Sequence, residues 1–340
     1  MPSGLDQLFV AAVKAGASDI HLAMGSPVVF RIDGILVPQG KKVLTGSDIE
    51  RAVKSILGAD RFKEFERTRE MDSAYAVSNV RLRVNCHFEK GVAGLTARII
   101  PQDIPSIADV GLVTVADALC NLTDGLVLFT GPTGSGKSTS LAAIIHKINQ
   151  ERSKHIVTLE DPVEFLFPEG KGIIRQRQFG SDFLSFPEAL KHVLRQDPDI
   201  VMVGEMRDLE TIAAALTIAE TGHLVFATLH TPNAVQTVDR IVDVFPPYQQ
   251  QQVRIQLSLA LKAIVAQRLI PKVGGGRVAQ REILVTTPAV GHIIRDNRSQ
   301  ELKSVLQTGR DTGMTTFEND AKRLLKEGVI SKETWEWARV

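Results

Sequence analysis

The segment Gly131–Thr139 (GPTGSGKST) constrains this chain more than any other stretch. It holds the pattern G-x-x-x-x-G-K-[ST] as Gly131, Gly136, Lys137 and Ser138. The run before it, Leu126–Thr130 (LVLFT), is strand-like, and the run after it, Ser140–Ile148 (SLAAIIHKI), is helix-like. A strand, a tight glycine loop and a helix in that order form a phosphate cradle. Small residues at Gly131, Thr133, Gly134, Ser135 and Gly136 let backbone N–H groups approach an anion, and the helix adds its positive N-terminus. In such a cradle Lys137 reaches the β- and γ-phosphates, the Ser138 hydroxyl ligates Mg²⁺, and Thr139 opens the helix beside them. The alternative, a glycine-rich turn with no ligand, leaves the flanking strand and helix unexplained.

Around this loop, strands and helices alternate. The spacing predicts strands at Leu126–Thr130, Ile156–Leu159, Ile200–Val203 and Leu224–Thr228. It predicts helices at Ser138–Asn149, Phe186–Arg195, Leu209–Thr221, Ala234–Val242 and Gln249–Arg268, and a mostly helical region from about Val290. Short, continuously apolar strands separated by helices indicate a parallel sheet covered on both faces, an α/β fold. The first hundred residues have a different pattern. A helix is expected near residues 4–15, strands over Asp19–Val37 with turns at Gly25–Pro27 and Asp33–Gly34, and a helix over Ser47–Arg67. Two alternating strands, about Ser73–Glu89 and Gly91–Ile100, complete a small α+β unit. The segment Pro101–Gly111 carries two prolines, which interrupt helix and strand alike, and reads as a linker. The division expected is 1–100, linker 101–111, and 112–340.

In open α/β sheets ligands sit at the carboxyl ends of the strands. The residues just after each predicted strand therefore carry the argument. After Ile156–Leu159 come Glu160, Asp161 and Glu164; after Ile200–Val203 come Gly204 and Glu205; after Leu224–Thr228 comes His230. Four strands thus bring phosphate, metal or proton chemistry to one edge. Glu205 is the candidate general base, placed to orient and deprotonate a water for in-line attack. The pair here is Gly-Glu rather than Asp-Glu, so Mg²⁺ coordination by Glu205 runs through water, or with help from Glu160 or Glu164. His230 is either a γ-phosphate contact or a structural histidine. His223, seven residues earlier, is about 23 Å away along an extended chain and belongs to the opposite edge. Arg83 and Arg98 lie outside this edge, on strands of the small unit; a solvated strand face and a phosphoryl contact are both open to them.

Bulk properties narrow the function classes. With 40 basic and 39 acidic residues the net charge is +1, and aromatics make up 5% of the chain. Neither the electrostatic footprint nor the stacking platforms of a nucleic-acid motor are present, and no nucleic-acid partner is expected. No run of about 18 apolar residues occurs, so no direct membrane insertion is expected. Cys86 and Cys120 form no C-x-x-C pair and read as two reduced thiols of a cytoplasmic protein.

The motifs together resemble the type II/IV secretion ATPases, and most closely the branch that retracts type IV pili. Ala17–Leu22 (ASDIHL) resembles that family's N-terminal signature, and Gly131–Thr139 its P-loop. Thr158–Phe165 (TLEDPVEF) resembles its acidic box, Arg195–Asp208 (RQDPDIVMVGEMRD) its Walker B segment, and Thr221–Thr231 (TGHLVFATLHT) its histidine box. The resemblance implies a PAS-like N-terminal domain joined to a RecA-like P-loop ATPase domain, with ATP and Mg²⁺ as cofactors. It implies a homohexamer, cytoplasmic and peripheral at the inner membrane through a pilus platform protein. Glu205 would be the catalytic glutamate, with Glu164 in the acidic box, and Arg83 and Arg98 would reach the nucleotide from the N-terminal domain. The extra N-terminal domain and tetracysteine module of the assembly ATPases are not found here. The retraction branch's A-I-R-N-L-I-R-E-like motif is matched only in its later half by Ala289–Asp296 (AVGHIIRD), which leaves an accessory paralogue as the alternative.

Overall fold

A computed structural model describes residues 4–32, 34–77, 80–100 and 103–339. Asp33 of the expected turn and Pro101–Gln102 of the expected linker lie outside them. The chain divides into two compact units, Met1–Asp103 and Ile104–Val340, and the division falls inside the segment read as a linker.

The first unit runs α1 (Gly4–Lys14), β1 (Ala17–Leu22), β2 (Pro27–Ile32), β3 (Ile35–Val43), α2 (Gly46–Thr68), β4 (Glu70–Val77), β5 (Val80–Glu89) and β6 (Val92–Ile100). Its strands pair antiparallel in the order β3-β2-β1-β6-β5-β4. Thr45 and Asp48 cap α2 reciprocally, and Gly58, at φ +73°, breaks the helix into two pieces. The core packs Phe9, Ile49 and Phe65 of the helices against Ile20, Leu82 and Val84 of the strands, all essentially buried. The single strand expected over Ser73–Glu89 is instead two, β4 and β5, which pair antiparallel with each other; Ser78 and Asn79 between them lie outside the described residues.

The second unit runs α3 (Val113–Cys120), β7 (Gly125–Thr130), α4 (Lys137–Glu151), β8 (His155–Glu160), β9 (Ile173–Gln178), α5 (Phe186–Val193), β10 (Ile200–Val203), α6 (Leu209–Glu220), β11 (Leu224–Leu229), α7 (Ala234–Asp243) and α8 (Pro247–Ala260). Then come β12 (Leu261–Pro271), β13 (Arg277–Val285), α9 (Pro288–Arg295), α10 (Leu302–Thr308), α11 (Phe317–Lys326) and α12 (Lys332–Ala338). The strand order is β13-β12-β7-β11-β10-β8-β9, parallel except for β13. Period-two alternation sends Leu128, Val157, Val201 and Val225 to one face, and Phe129, Ile156, Ile200 and Phe226 to the other. Both faces are buried under helices, so each such side chain contributes roughly 1.5–3 kcal/mol on leaving water.

One expectation fails here. Gln249–Arg268 is not a single helix: α8 stops at Ala260, and Leu261–Pro271 is strand β12, paired with β7 on one side and β13 on the other. No glycine or proline separates the two elements, so nothing local announces the end of the helix. Tertiary pairing decides it, because β7 would otherwise be left with an unpaired edge.

Three buried side chains follow from the packing inside the units. Arg281 of β13 is 3% exposed. Its guanidinium donates to the carbonyls of Val110 and Gly111 (3.2 Å) and to Ser140 Oγ at 3.1 Å, so the end of the proline-containing segment is fastened beside the first turn of α4. Burial pulls its pKa down to about 10. Cys86 and Cys120 are free and buried, and desolvation pushes both thiols up to about 12. A thiolate-directed reagent is therefore expected to find no fast-reacting cysteine in the native protein and two after denaturation. Rapid labelling of the native chain would show that this packing is open.

Candidate nucleotide site

The tips of β7, β8, β10 and β11 are adjacent, so the residues after them share one edge. After β7 the loop turns on Gly131 (φ +140°), Gly134 (φ +76°) and Gly136 (φ +84°), and Gly136 caps α4. A Cβ on Gly131 would sit 2.1 Å from the Gln267 carbonyl oxygen, so only glycine lets the loop pass under β12. Gln267 then donates from Nε2 to the Ser135 carbonyl at 2.7 Å and holds the loop against that strand. Lys137, 8% exposed, lies along the loop, its Nζ donating to the carbonyls of Gly131 (2.8 Å) and Pro132 (3.1 Å). Burial pulls its pKa down, and the charges of Glu205 and Glu164 oppose that pull. Among the described residues the buried hydroxyls of Thr130 and Ser135 have no hydrogen-bond partner. Thr133 and Gly134 are exposed, while Ser138 and Thr139 are half-buried in the first turn of α4.

Glu205 follows β10 and is held from two sides. Its Oε1 lies 2.9 Å from His230 Nε2, and its Oε2 accepts from Arg207 Nη2 at 2.8 Å. A carboxylate only accepts, so the His230 tautomer in this contact carries its proton on Nε2. Burial alone would push the Glu205 carboxyl up, but Arg207 and His230 together hold it below the usual range. Gly204 explains the Gly-Glu pair: a Cβ there would come 3.2 Å from both Glu160 Cα and the Leu159 carbonyl oxygen. The backbone of β8 presses on this position, and Thr228 Oγ1 caps the Gly204 carbonyl at 2.5 Å.

The acidic loop after β8 is strapped to β9. The Val163 amide donates to Gln178 Oε1 (3.3 Å), and Gln176 Nε2 donates to the Phe165 carbonyl (2.8 Å). Glu164 is exposed on this loop. Glu160 points elsewhere: 5% exposed, it accepts from Thr158 Oγ1 (2.6 Å) and Gln176 Nε2 (3.1 Å), and burial raises its pKa. Its Oε1 is thus engaged within the fold, while Glu205 and the exposed Glu164 are the carboxylates whose charges reach Lys137. His223 sits at the opposite end of β11, its Nδ1 3.3 Å from Thr221 Oγ1. Arg83 and Arg98 are directly opposed on β5 and β6 of the first unit.

Several contacts are not apparent from sequence. Arg207 and Asp161, whose ends approach to 4.0 Å, extend the Glu205 network. Gln176 and Gln178 belong to β9, whose sequence Ile173–Gln178 (IIRQRQ) lacks the apolar alternation that marks a strand. Gln267 falls in the stretch whose spacing suggested a helix. A cavity of about 560 Å³ adjoins the loop, lined by Gly136, Thr139 and Ser140 on one side and by Gly111, Val278 and Arg281 on the other.

A family profile described as "Type II/IV secretion system protein" matches residues 2–336. The type IV pilus retractation ATPase PilT of Pseudomonas aeruginosa is 43% identical over 330 residues, covering 97% of this chain and 96% of its own. A twitching motility protein of Neisseria gonorrhoeae is 40% identical over 331 residues, covering 97% of this chain and 88% of its own. The crystal structure of the pilus retraction motor PilT with bound ADP superposes with a TM-score of 0.90 at 42% identity, over 99% of this chain and 97% of that one.

Proposed function

Because this chain belongs to the type II/IV secretion system protein family, we propose that it is the ATP-hydrolysing motor that retracts type IV pili. The observation that carries the reading is Glu205, clamped by His230 and Arg207 on the strand edge it shares with the Lys137 loop. In that reading the γ-phosphate displaces the loop carbonyls as the partner of Lys137, and Glu205 orients a water in line with it. The proton leaves the water for Glu205 as the new P–O bond forms and the bond to ADP breaks. His230 and Arg207 keep the carboxylate aimed and ionised, since its lowered pKa leaves it charged at neutral pH. Ser138, and Glu205 through a water, would hold Mg²⁺, which supplies charge neutralisation at the β- and γ-phosphates when bound. The cavity beside Thr139 and Ser140 suits the nucleoside end.

The relatives named for pilus retraction and twitching motility point to the same load. We take the working form to be a homohexameric ring in which Arg83 and Arg98 of one subunit meet the nucleotide of its neighbour. No helix of the described residues is long and apolar enough to cross a membrane, so contact with the inner membrane runs through a platform protein of the pilus. A second reading, an accessory retraction ATPase, rests on Ala289–Asp296. Gly291, where the retraction motif carries a larger residue, lies in α9 with its Cβ position 3.3 Å from the Ser258 carbonyl oxygen of α8.

Deletion of the gene in its native cell separates these readings. Excess surface pili with lost twitching is the expected result. Bald cells would mean an assembly ATPase, and unchanged pili and motility would mean an accessory role.

A further inference from the structure

Four ionised side chains stand in one transverse row on the sheet of the first unit. Register places Arg31 of β2 opposite Asp19 of β1, Asp19 opposite Arg98 of β6, and Arg98 opposite Arg83 of β5. Directly opposed residues share a sheet face, with Cβ atoms about 4.5–5.5 Å apart. This is the face turned from the unit's apolar core, because the alternate residues Phe30, Ile20, Ala97 and Leu82 are the buried ones. Three guanidinium groups and one carboxylate leave the row with an excess of positive charge. Like charges directly opposed, as Arg98 and Arg83 are, destabilise a sheet, and such a breach of local rules is characteristic of a site kept for function.

Asp19 organises the row. It is 7% exposed, yet the Arg98 side chain it binds is 71% exposed. Oδ1 accepts from Arg98 Nε at 2.8 Å, Oδ2 accepts from Ser18 Oγ at 2.8 Å, and Arg31 Nε stands 4.0 Å from Oδ2. Among the described residues Arg98 makes no other hydrogen bond to protein. Its guanidinium is thus pinned at Nε, and its Nη1 and Nη2 groups remain as a fork in solvent, the end that grips a phosphate bidentately. Arg83 has a looser tether, 4.0 Å from Asp72.

We infer that Asp19 is a positioning residue for ATP hydrolysis: it fixes Arg98 in the orientation that presents both Nη groups to the γ-phosphate of a nucleotide, and offsets the repulsion among Arg31, Arg98 and Arg83. This rests on the reading of Arg98 as a phosphate contact. It also gives a role to the Ala17–Leu22 motif, whose aspartate belongs to the first unit and not to the nucleotide loop. Burial would push the Asp19 carboxyl up, but Arg98 and Ser18 hold it below the usual range, so the anchor is charged throughout the working pH range.

The test is a double-mutant cycle on the full-length chain, reading kcat and KM for ATP and the melting temperature. Arg98→Ala is expected to lower kcat about a thousandfold, as loss of a phosphate arginine does. Asp19→Ala is expected to lower kcat about a hundredfold through misplacement of that arginine, with KM within about twofold. Asp19→Asn keeps an acceptor for Nε but not the charge, and falls between Asp19→Ala and the native chain. In the Arg98→Ala background, Asp19→Ala should lower kcat no further. Equal losses in both backgrounds, or an unchanged kcat in Asp19→Ala, would overturn the positioning role while leaving Arg98 in place. A native kcat in Arg98→Ala would overturn the phosphate reading itself, and the proposal with it. Asp19→Asn keeps the cycle readable should the alanine variant fail to fold.

Discussion

Replacing Glu205 with Gln is expected to lower ATP turnover about 10²–10⁴-fold, the usual worth of a positioned general base, while ATP binding stays within a few-fold of native. The amide has the same outline and keeps one acceptor oxygen for His230 or Arg207, so the clamp at 2.9 and 2.8 Å loosens on one side only. What vanishes is the group that takes the proton from water. Removing a negative charge near Lys137 also leaves that lysine freer to meet phosphate, which favours binding. Fluorescent-nucleotide titration measures the first quantity and phosphate release the second; native turnover in this variant would sink the assignment of Glu205. The native enzyme's acid limb follows from the same contacts. The carboxylate is the working form and its pKa lies below the ordinary 4.5, so turnover dependent on it is full above that value and is lost only as pH falls through the lowered pKa. An acid limb near neutrality would belong to another group.

The catalytic edge is legible in sequence for a physical reason. Buried parallel strands must be short apolar runs, and their tips must carry whatever chemistry the fold performs; hence Lys137, Glu164, Glu205 and His230 stand out from the strand pattern alone. Helix termini are legible where a cap marks them, as Asp208 does for α6 by accepting from the Thr211 amide. Leu261–Pro271 has no such mark. Its burial on both faces erases the alternation that distinguishes strand from helix, and only pairing with β7 and β13 settles it. Reading that stretch as helix conceals Gln267, which supports the phosphate loop from a strand far away in sequence. The role of Asp19 is hidden for a related reason. Its partner Arg98 is 79 residues away, and cross-strand register is not written in either strand alone.

Gly131→Ala is expected to be far more damaging than Gly134→Ala, although both glycines sit in the same loop with positive φ. Backbone conformation already leans that way: φ is +76° at Gly134, close to the left-handed helical region, and +140° at Gly131, well outside it. The left-handed region costs a non-glycine residue about 1–2 kcal/mol, and Gly134 meets no atom within 4 Å of an added Cβ, so that strain is its whole cost. At Gly131 the methyl group would lie 2.1 Å from the Gln267 carbonyl oxygen and 2.7 Å from Ser135 Oγ. The carbonyl has no room to retreat, because it belongs to β12, which is paired on both sides. The loop must therefore lift away from β12, which adds about 1–3 kcal/mol of overpacking strain to the backbone cost. At about 2–4 °C per kcal/mol for a domain of this size, Gly131→Ala should melt roughly 4–20 °C below the native protein, and Gly134→Ala within about 2–8 °C of it. The functional gap is expected to be wider. Lifting the loop pulls its amides off the phosphates they cradle and displaces Lys137, whose Nζ rests on the Gly131 carbonyl. Nucleotide affinity should then fall at least a hundredfold in Gly131→Ala and less than tenfold in Gly134→Ala. Equal affinities in the two variants would mean that contact with β12 does not set the loop.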